Sequence, residues 1–567
     1  MKTVQMRKLL AVLLAALPAC ITASQARHNT DLPIVDLGYE LHQALSFNDT
    51  GDFYTFADVR FAAPPLGNLR FAKPELPAIS RSHVQQGGQR YSCPQASPKW
   101  GDDALGVIQR IPHGAELIKA FSTYDGFSTN ATYTEDCLFL DVMVPRAVLE
   151  RAGQGYGAPV MVWIFGGGYV MGSKTQWGSP AGLLKSSQAQ GSDGMIFVAI
   201  NYRLGAFGWL SGPSLQENGT ANAGLYDQRL ALEWVQTHIS KFGGDPNRVT
   251  VTGESAGGAS TMYQMAAFGG ARGPAPFAQA VPQSPGVIPN VSPHAQEVAA
   301  RSFLDRLNVS TIQEARGLST DMLQLANKNV VGEHSAYGTF TFGPVIDGEF
   351  APGLLPQLFR NGQFDKTVVV MAGQNSNEGI YFTPSSAAQV SGFQNYALDL
   401  FPVMRASNDT VEHVFRQLYP PELATTVSNK ALANLEAVDG NFSTSIAPAA
   451  WLASDAFIGV NRLSIHRALN NTYAYLFAMG LGIHGQDVPY TFFNGESPVT
   501  DATTALTLQR YITNFVISGS PNGPDVPHLA SYGSNHSMLS FTDVGIHTIT
   551  DPFANDRTEW WLRGVFY

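Results

Sequence analysis

The sequence predicts an α/β protein with a large, mostly parallel central sheet flanked by helices, because short apolar runs alternate with segments of helical periodicity. Residues 160–165 and 195–200 are continuous apolar runs, which are typical of strands buried on both faces. Residues 227–242 carry apolar side chains at helical spacing and are followed by two glycines and a proline, which end a helix. Apolar residues make up 44% of the 567 residues and charged ones 14%, which excludes extensive disorder.

The same alternation continues towards the carboxyl end of the chain. Residues 249–252, 367–372 and 473–477 are strand-like, whereas residues 258–268 and 506–516 are helix-like. In α/β folds of this kind, ligands bind outside the carboxyl ends of the strands. The functional residues are therefore expected in the loops that follow the predicted strands.

The first 26 residues have the pattern of a secretory signal peptide. Lys2, Arg7 and Lys8 precede an apolar run at residues 9–17, and small residues follow that run. A membrane anchor is the alternative, but it would need about 18 apolar residues, and this run is shorter. We therefore predict a secreted, extracellular protein in which residues 27–567 form a single domain.

The cysteines, sequons and net charge add to this prediction. Removal of the leader also removes Cys20, and it leaves Cys93 and Cys137 as an even pair that is expected to form one disulfide. The formal charge of −10 provides no basic face for a nucleic-acid partner. Asn-x-Ser/Thr sequons, which accept glycans in a eukaryotic secretory pathway, occur at Asn48, Asn130, Asn218, Asn290, Asn308, Asn408, Asn441, Asn470 and Asn535.

The candidate nucleophile is Ser255, in the pentapeptide Gly-Glu-Ser-Ala-Gly at residues 253–257. A Gly-x-Ser-x-Gly motif alone is weak, since short motifs also arise by chance. Here the motif follows a predicted strand and opens a predicted helix, as a nucleophile elbow requires. The sharp turn places the serine in an unfavourable backbone region, so its neighbours must be small. The alternative is a serine that only caps the helix.

A glycine run at residues 166–168 follows the first predicted strand. Backbone amides stabilise the oxygen that becomes negative during acyl transfer, and in proteins with a nucleophile elbow half of such an oxyanion hole lies upstream of the serine. We predict that the amides of Gly167, Gly168 and Ala256 form this hole. A flexible loop is the alternative. A dinucleotide-binding loop is excluded because the next glycine, Gly172, is one residue too far along.

The predicted acid and base are Glu378 and His484, each in a loop after a predicted strand. A serine nucleophile needs a histidine base, and a carboxylate must orient that histidine. In proteins with a nucleophile elbow, these residues occur along the chain in the order serine, acid, histidine. Eight histidines follow Ser255, so the order alone does not select one. His484 is flanked by glycines, whereas His466 lies in a helix-like stretch. From the residues alone, other loop histidines and acids stay open as alternatives.

Together these motifs resemble the type-B carboxylesterase/lipase family, which includes the cholinesterases. The resemblance spans nearly the whole chain after the leader, in residues 60–75, 135–144, 160–172, 201–210, 222–258, 343–348, 377–379 and 484–489. It implies the α/β-hydrolase fold and hydrolysis of carboxylic esters. It also implies one role for each candidate: a catalytic triad of Ser255, Glu378 and His484, and an oxyanion hole of Gly167, Gly168 and Ala256.

The loop that Cys93 and Cys137 would close, here named the flap (residues 93–137), is long. By the resemblance, the corresponding loop of secreted fungal lipases is a movable lid. Apolar residues fall at helical spacing in residues 105–111 and 117–121, separated by Pro112. An amphipathic flap can open at a lipid surface. The alternative is a fixed flap that only narrows the entrance to the site.

Two other functions remain open from the sequence. One is an interfacially activated triacylglycerol lipase, which would contact a lipid interface transiently. The other is a non-catalytic, cholinesterase-like adhesion protein, but such relatives lose a member of the triad and this chain keeps all three. No cofactor or metal is expected, because no phosphate loop or zinc-ligand spacing occurs. The expected partner is a small-molecule or lipid ester, with no nucleic acid and no obligate protein partner.

Overall fold

An eleven-stranded mixed sheet organises the part of the chain that the computed structural model describes. This part comprises residues 32–109, 131–216, 218–288, 292–423, 446–495 and 501–564. The predicted signal peptide and the second apolar segment of the flap lie outside the described residues. None of the helices in the described ranges is long and apolar enough to span a lipid bilayer.

The strands of the central sheet are numbered here in chain order. They are β1 Ser46–Asn48, β2 Phe53–Arg60, β3 Phe139–Pro145, β4 Ala158–Ile164, β5 Ile196–Ile200, β6 Gly244–Glu254, β7 Gln279–Gln283, β8 Val369–Asn375, β9 Thr472–Ala478, β10 Ser537–Thr542 and β11 Gly545–Thr550. Across the sheet the order is β11-β10-β9-β8-β7-β6-β4-β5-β3-β2-β1. Smaller sheets are formed by Ile34–Asp36, Glu40–Gln43 and Ser80–Gln85, and by Tyr91–Ser92 with Thr132–Tyr133.

The centre of the sheet is parallel and its two edges are antiparallel. Every neighbouring pair from β5 through β4 and β6 to β10 is parallel. The pairs at the edges, β1 with β2, β2 with β3, β3 with β5 and β10 with β11, are antiparallel. All residues of β4 and β5 are buried, which explains their continuous apolar sequences. The predicted mostly parallel sheet is confirmed.

Helices surround this sheet and cover its faces. They are α1 Lys99–Ile108, α2 Arg146–Glu150, α3 Ala181–Ser187, α4 Gly205–Trp209, α5 Pro213–Gln216, α6 Ala223–His238, α7 Ala256–Met265, α8 Pro293–Arg306, α9 Ile312–Arg316, α10 Thr320–His334, α11 Leu355–Arg360, α12 Val390–Leu400, α13 Asn408–His413, α14 Ala447–Ser454, α15 Val460–Ala468, α16 Val488–Thr491, α17 Ala502–Ser518 and α18 Asp556–Trp561. Each predicted strand, and each predicted helix that lies within the described residues, is present, with its ends shifted by a few residues.

The shifts have local causes. The apolar run at residues 249–252 is the centre of the longer strand β6, whose first half carries polar residues. The helical segment at residues 227–242 begins earlier, at Ala223, and its last turn tightens into the 3-10 helix Ile239–Phe242. Gly243 ends that turn with a φ of 88°, which favours glycine.

The flap is closed as predicted, by a disulfide between Cys93 and Cys137 whose Cα atoms are 5.1 Å apart. Leu105 and Ile108 of its first apolar segment belong to α1, which carries buried residues on one side and Asp102 and Asp103 in solvent. Residues 110–130 of the flap lie outside the described residues.

The predicted sequons differ in exposure. Asn218, Asn308, Asn408, Asn470 and Asn535 are exposed at the surface. Asn48 is half-buried in β1, and its side-chain oxygen accepts a hydrogen bond from the amide of Gly51. The remaining sequons, at Asn130, Asn290 and Asn441, lie outside the described residues.

Candidate active site

Ser255 occupies the sharp turn between β6 and α7. Its φ of 58° and ψ of −122° lie in a region that residues other than glycine rarely adopt. The turn packs against the end of β4: a Cβ atom added at Gly253 or at Gly257 would lie 2.5 or 2.0 Å from the carbonyl oxygen of Ile164. The glycines of the motif are therefore required by this close packing, as a nucleophile elbow requires.

The structure brings the three candidate triad residues into one hydrogen-bonded row. Nε2 of His484 lies 2.7 Å from Oγ of Ser255, and Nδ1 lies 2.6 Å from Oε2 of Glu378. The three residues follow β6, β9 and β8, whose carboxyl ends lie at the same edge of the sheet. This row is the arrangement in which a histidine can remove the proton of a serine hydroxyl.

Glu378 is fully buried, and both of its carboxylate oxygens have partners. Oε1 accepts hydrogen bonds from the Ser284 hydroxyl, at 2.6 Å, and from the backbone amide of Asn375, at 2.5 Å. The side-chain amide of Asn375 donates in turn to the Ser284 hydroxyl, at 3.1 Å. These donors fix the orientation of the carboxylate and so of the imidazole bound to its other oxygen.

Sequence reasoning assigned no role to Ser284 or to Asn375. Ser284 directly follows β7, which lies between β6 and β8 in the sheet, and Asn375 is the last residue of β8. Their positions at strand ends are the signal that could have indicated them. The sequence does not show which loop side chain will face Glu378, because that depends on how three separate loops pack.

A second carboxylate, that of Glu254, faces the other side of the imidazole. Its Oε1 atom lies 3.4 Å from Nε2 of His484 and has no hydrogen-bond partner among the described residues. Burial raises the pKa of Glu254 to about 8. Burial also opposes the charged form of His484, but the negative charges of Glu254 and Glu378 outweigh it and raise the pKa of His484 to about 9. The site therefore stabilises an imidazolium.

The candidate oxyanion hole lies beside Ser255. Gly167 and Gly168 form a turn after β4 with φ values of 108° and 60°, and neither amide finds an acceptor within the described parts of the chain. Ala256 is the first residue of α7, where the amide has no partner within the helix. A Cβ atom at Gly168 would lie 2.2 Å from the ring of Phe340, so this position requires glycine.

Ser255 opens onto two cavities, of about 370 Å³ and about 40 Å³. The larger one is lined in part by α1 of the flap, including Trp100, to which sequence reasoning gave no site role. The indole of Trp100 donates a hydrogen bond to the carbonyl oxygen of Thr339, at 2.8 Å, which anchors the helix over the site. Within the described ranges, no cluster of three or more histidine, cysteine, aspartate or glutamate side chains could hold a metal ion.

Comparison with known proteins places the chain among esterases. The carboxylesterase family model matches residues 43–560. Carboxylesterase patB of Penicillium expansum is 38% identical over 565 residues, covering 94% of this chain and 96% of that protein. Lipase 1 of Geotrichum candidum is 28% identical over 539 residues, covering 89% and 91%.

The fold is shared with a solved esterase structure. The crystal structure of Aspergillus niger EstA superposes with a TM-score of 0.75 at 23% sequence identity, covering 95% of this chain and 99% of that one. The central sheet, its flanking helices and the flap disulfide agree with the α/β-hydrolase fold that the sequence predicts. The chain belongs to the carboxylesterase family and is a carboxylic ester hydrolase.

Proposed function

We propose that this protein is a secreted serine esterase that works through an acyl-enzyme on Ser255. The observation that carries the proposal is the hydrogen-bonded row of Ser255, His484 and Glu378, with distances of 2.7 and 2.6 Å. The substrate is a carboxylic ester, as the name of the family indicates.

In the first half of the reaction, Nε2 of His484 removes the proton of the Ser255 hydroxyl as its oxygen attacks the ester carbonyl carbon. The carbonyl oxygen becomes negative and is bound by the amides of Gly167, Gly168 and Ala256. When the tetrahedral intermediate collapses, the bond to the alcohol oxygen breaks, and that oxygen takes the proton back from His484. The alcohol leaves, and the acyl group remains on Ser255.

In the second half, water takes the place of the alcohol. His484 removes a proton from the water molecule as it attacks the acyl carbon, and the proton then passes to the Ser255 oxygen as the carboxylic acid is released. Both oxygens of Glu378 are bound, one by two hydrogen-bond donors and the other by the imidazole. Glu378 holds the ring so that Nε2 faces Ser255.

The decisive experiment combines a variant with covalent labelling. Ser255→Ala should lower kcat for a soluble ester by about 1,000-fold or more, because the nucleophile is removed. An aryl phosphonate should label the wild type once per chain, and peptide mapping should find the label on Ser255. Ser187→Ala is the matched control: this buried serine bonds to Leu184 and Met195, away from the triad, and its variant should be labelled normally.

Two results would contradict the proposal. One is hydrolysis at the wild-type rate by a folded Ser255→Ala protein. The other is stoichiometric labelling at another residue, which would move the nucleophile elsewhere.

A triacylglycerol lipase is the second candidate. Helix α1 of the flap places Leu105 and Ile108 on the wall of the larger cavity, so opening of the flap would expose apolar side chains. Rates on one ester should be measured below and above its solubility limit. A sharp rise on emulsification favours the lipase, whereas saturation in solution favours the esterase.

Export is part of the proposal. The leader pattern of the first 26 residues and the Cys93–Cys137 disulfide both indicate an oxidising compartment. Expression in a fungal host should place the protein in the medium with its amino terminus near residue 24 or 27. Treatment with an amidase that removes N-linked glycans should lower its mass, since five of the sequons are exposed. Retention of the full-length chain inside the cell would contradict export.

A further inference from the structure

The two cavities that meet at Ser255 differ in which catalytic groups line them. The larger cavity is bounded by His484, Gly485 and Glu254 as well as by Ser255. The smaller cavity is bounded by Ser255 but, among the described residues, not by His484 or Glu254. Gly168, in the candidate oxyanion hole, lines both cavities, so the reacting carbon would lie where they join.

The chemistry proposed above assigns one part of the ester to each cavity. In the tetrahedral intermediate the reacting carbon carries the Ser255 oxygen, the oxyanion, the alcohol oxygen and the acyl chain. The alcohol oxygen must receive a proton from Nε2 of His484, so the alcohol has to lie on the histidine side. That side is the larger cavity. The acyl chain therefore has to lie in the smaller cavity.

The sizes of the cavities then set the size of each part. The cavity on the histidine side holds about 370 Å³, whereas the other holds about 40 Å³. A cavity of the smaller size accommodates roughly a few heavy atoms, as in an acetyl or propionyl group. The larger cavity has room for a ring system, and its walls include Trp100, Met171 and Trp177.

The walls of the smaller cavity leave little room for adjustment. Phe342, Val287 and Phe457 are all buried, and the amide of Val287 donates to the carbonyl oxygen of Phe457 at 3.2 Å. The ring of Phe457 packs edge-on against Phe382, with centroids 5.7 Å apart. Inserting further methylene groups into such packing requires side chains to leave their preferred rotamers, which is unfavourable.

The two cavities share Gly168, Ser255, Phe340 and Phe382, but the larger one has further walls that come from a different part of the chain. Pro98, Trp100, Leu105 and Ile108 of the flap line it, and within the described residues the flap contributes nothing to the smaller cavity. The described part of the flap therefore contacts the alcohol part of the ester and not the acyl part.

We infer that the substrates of this protein are esters of a short-chain acid, of about two or three carbons, with a bulky, apolar alcohol, and that flap helix α1 selects the alcohol. This inference rests on the proposed function. It names the substrate class of the same site.

Two substrate series test it with the wild-type protein below the solubility limit of each ester. With p-nitrophenol as the constant leaving group, kcat/KM should fall by about ten-fold or more between the propionyl and hexanoyl esters. With acetate as the constant acid, kcat/KM should rise from ethyl to butyl to 2-phenylethyl acetate, because the larger alcohols bury more apolar surface. These alcohols are all primary, so leaving-group acidity varies little.

Matched variants test the roles of the two cavities independently. Val287→Ala should raise the ratio of the butanoyl to the acetyl rate several-fold and leave the ranking of alcohols unchanged. Leu105→Ala should change the ranking of alcohols and leave that acyl ratio unchanged. Phe342→Ala removes more of the same wall and should shift the preference to still longer acids. If it fails to fold, the Val287 variant carries the test.

The outcomes also distinguish this inference from the proposed function. Equal or higher rates for hexanoyl than for acetyl esters, or no dependence on the size of the alcohol, would overturn the inference while an inactive Ser255→Ala protein leaves the mechanism intact. A shift of the acyl ratio by Leu105→Ala, with none by Val287→Ala, would reverse the assignment of the cavities. Hydrolysis by Ser255→Ala would remove the proposed function itself.

Discussion

Two buried carboxylates lie on opposite sides of the His484 imidazole, and they differ in how their oxygens are bound. Glu378 is hydrogen-bonded at both oxygens, to Nδ1 of the imidazole and to Ser284 and Asn375. Glu254 leaves Oε1 without a hydrogen-bond partner in the described structure, 3.4 Å from Nε2. The bound carboxylate can fix the direction of the ring, whereas the unbound one acts mainly through its charge.

We therefore expect Glu378 to control the orientation of the His484 imidazole and Glu254 to control its pKa. A buried carboxylate that accepts several hydrogen bonds is held in one position. A carboxylate without donors is harder to ionise there, in agreement with the pKa of about 8 for Glu254. Changes on the Glu378 side should therefore alter the maximal rate, and changes on the Glu254 side should alter the pH at which the rate is reached.

The largest effect is expected from Glu378→Gln. The amide is neutral and can present a donor to Nδ1, so the imidazole would be held in the wrong tautomer. We expect kcat to fall by about 1,000- to 10,000-fold, as for the corresponding change in serine proteases. Steady-state kinetics measure this, with circular dichroism to show that the variant is folded. A loss of less than about ten-fold would show that another group orients the histidine.

Ser284→Ala should have an intermediate effect. It removes one of the two donors to Oε1 of Glu378 and leaves the second, the amide of Asn375. Since hydrogen bonds to charged groups contribute about 1.5–3 kcal/mol, we expect kcat to fall by about ten-fold with little change in KM. Ser464→Ala is the control, because this buried hydroxyl donates to the carbonyl oxygen of Asn461 and not to a residue of the triad. Equal kinetics in both variants would refute a positioning role.

The smallest effect on the maximal rate is expected from Glu254→Gln, which should instead move the pH profile. His484 must be neutral to act as a base, so kcat/KM of the wild type should fall as the pH drops below the raised pKa of about 9. Removing the charge of Glu254 lowers that pKa. The variant should therefore keep its activity to a lower pH, by about one unit or more.

Other groups near the imidazole also affect its pKa and must be considered in this experiment. Besides Glu254 and Glu378, Asp487 contributes a negative charge, and the Tyr381 ring lies 6.4 Å from the imidazole between centroids. Profiles of kcat/KM between pH 5 and 10 should be recorded for both proteins with an ester that does not ionise. Coincident profiles would show that Glu254 does not control the base.

Much of this site could be predicted from the sequence because its requirements are local. The elbow at Ser255 needs small neighbours, and the motif provides them at Gly253 and Gly257. Glu378 and His484 follow strands, and parallel strands bring their carboxyl ends to one edge. By contrast, the Ser284 hydroxyl meets Glu378 only because two loops pack together, and no local pattern requires that contact.

Local sequence patterns predict five of the eleven strands of the central sheet, several helices that follow them, the position of the elbow and the cysteine pair. They can do so because burial of a strand and backbone strain at a turn depend on neighbouring residues. Packing of the loops around the sheet leaves Oε1 of Glu254 without a hydrogen-bond partner among the described residues, and it opens Ser255 onto cavities of about 370 and 40 Å³. These properties depend on distances between side chains that are far apart in the chain. Such distances are fixed only when the loops pack around the sheet.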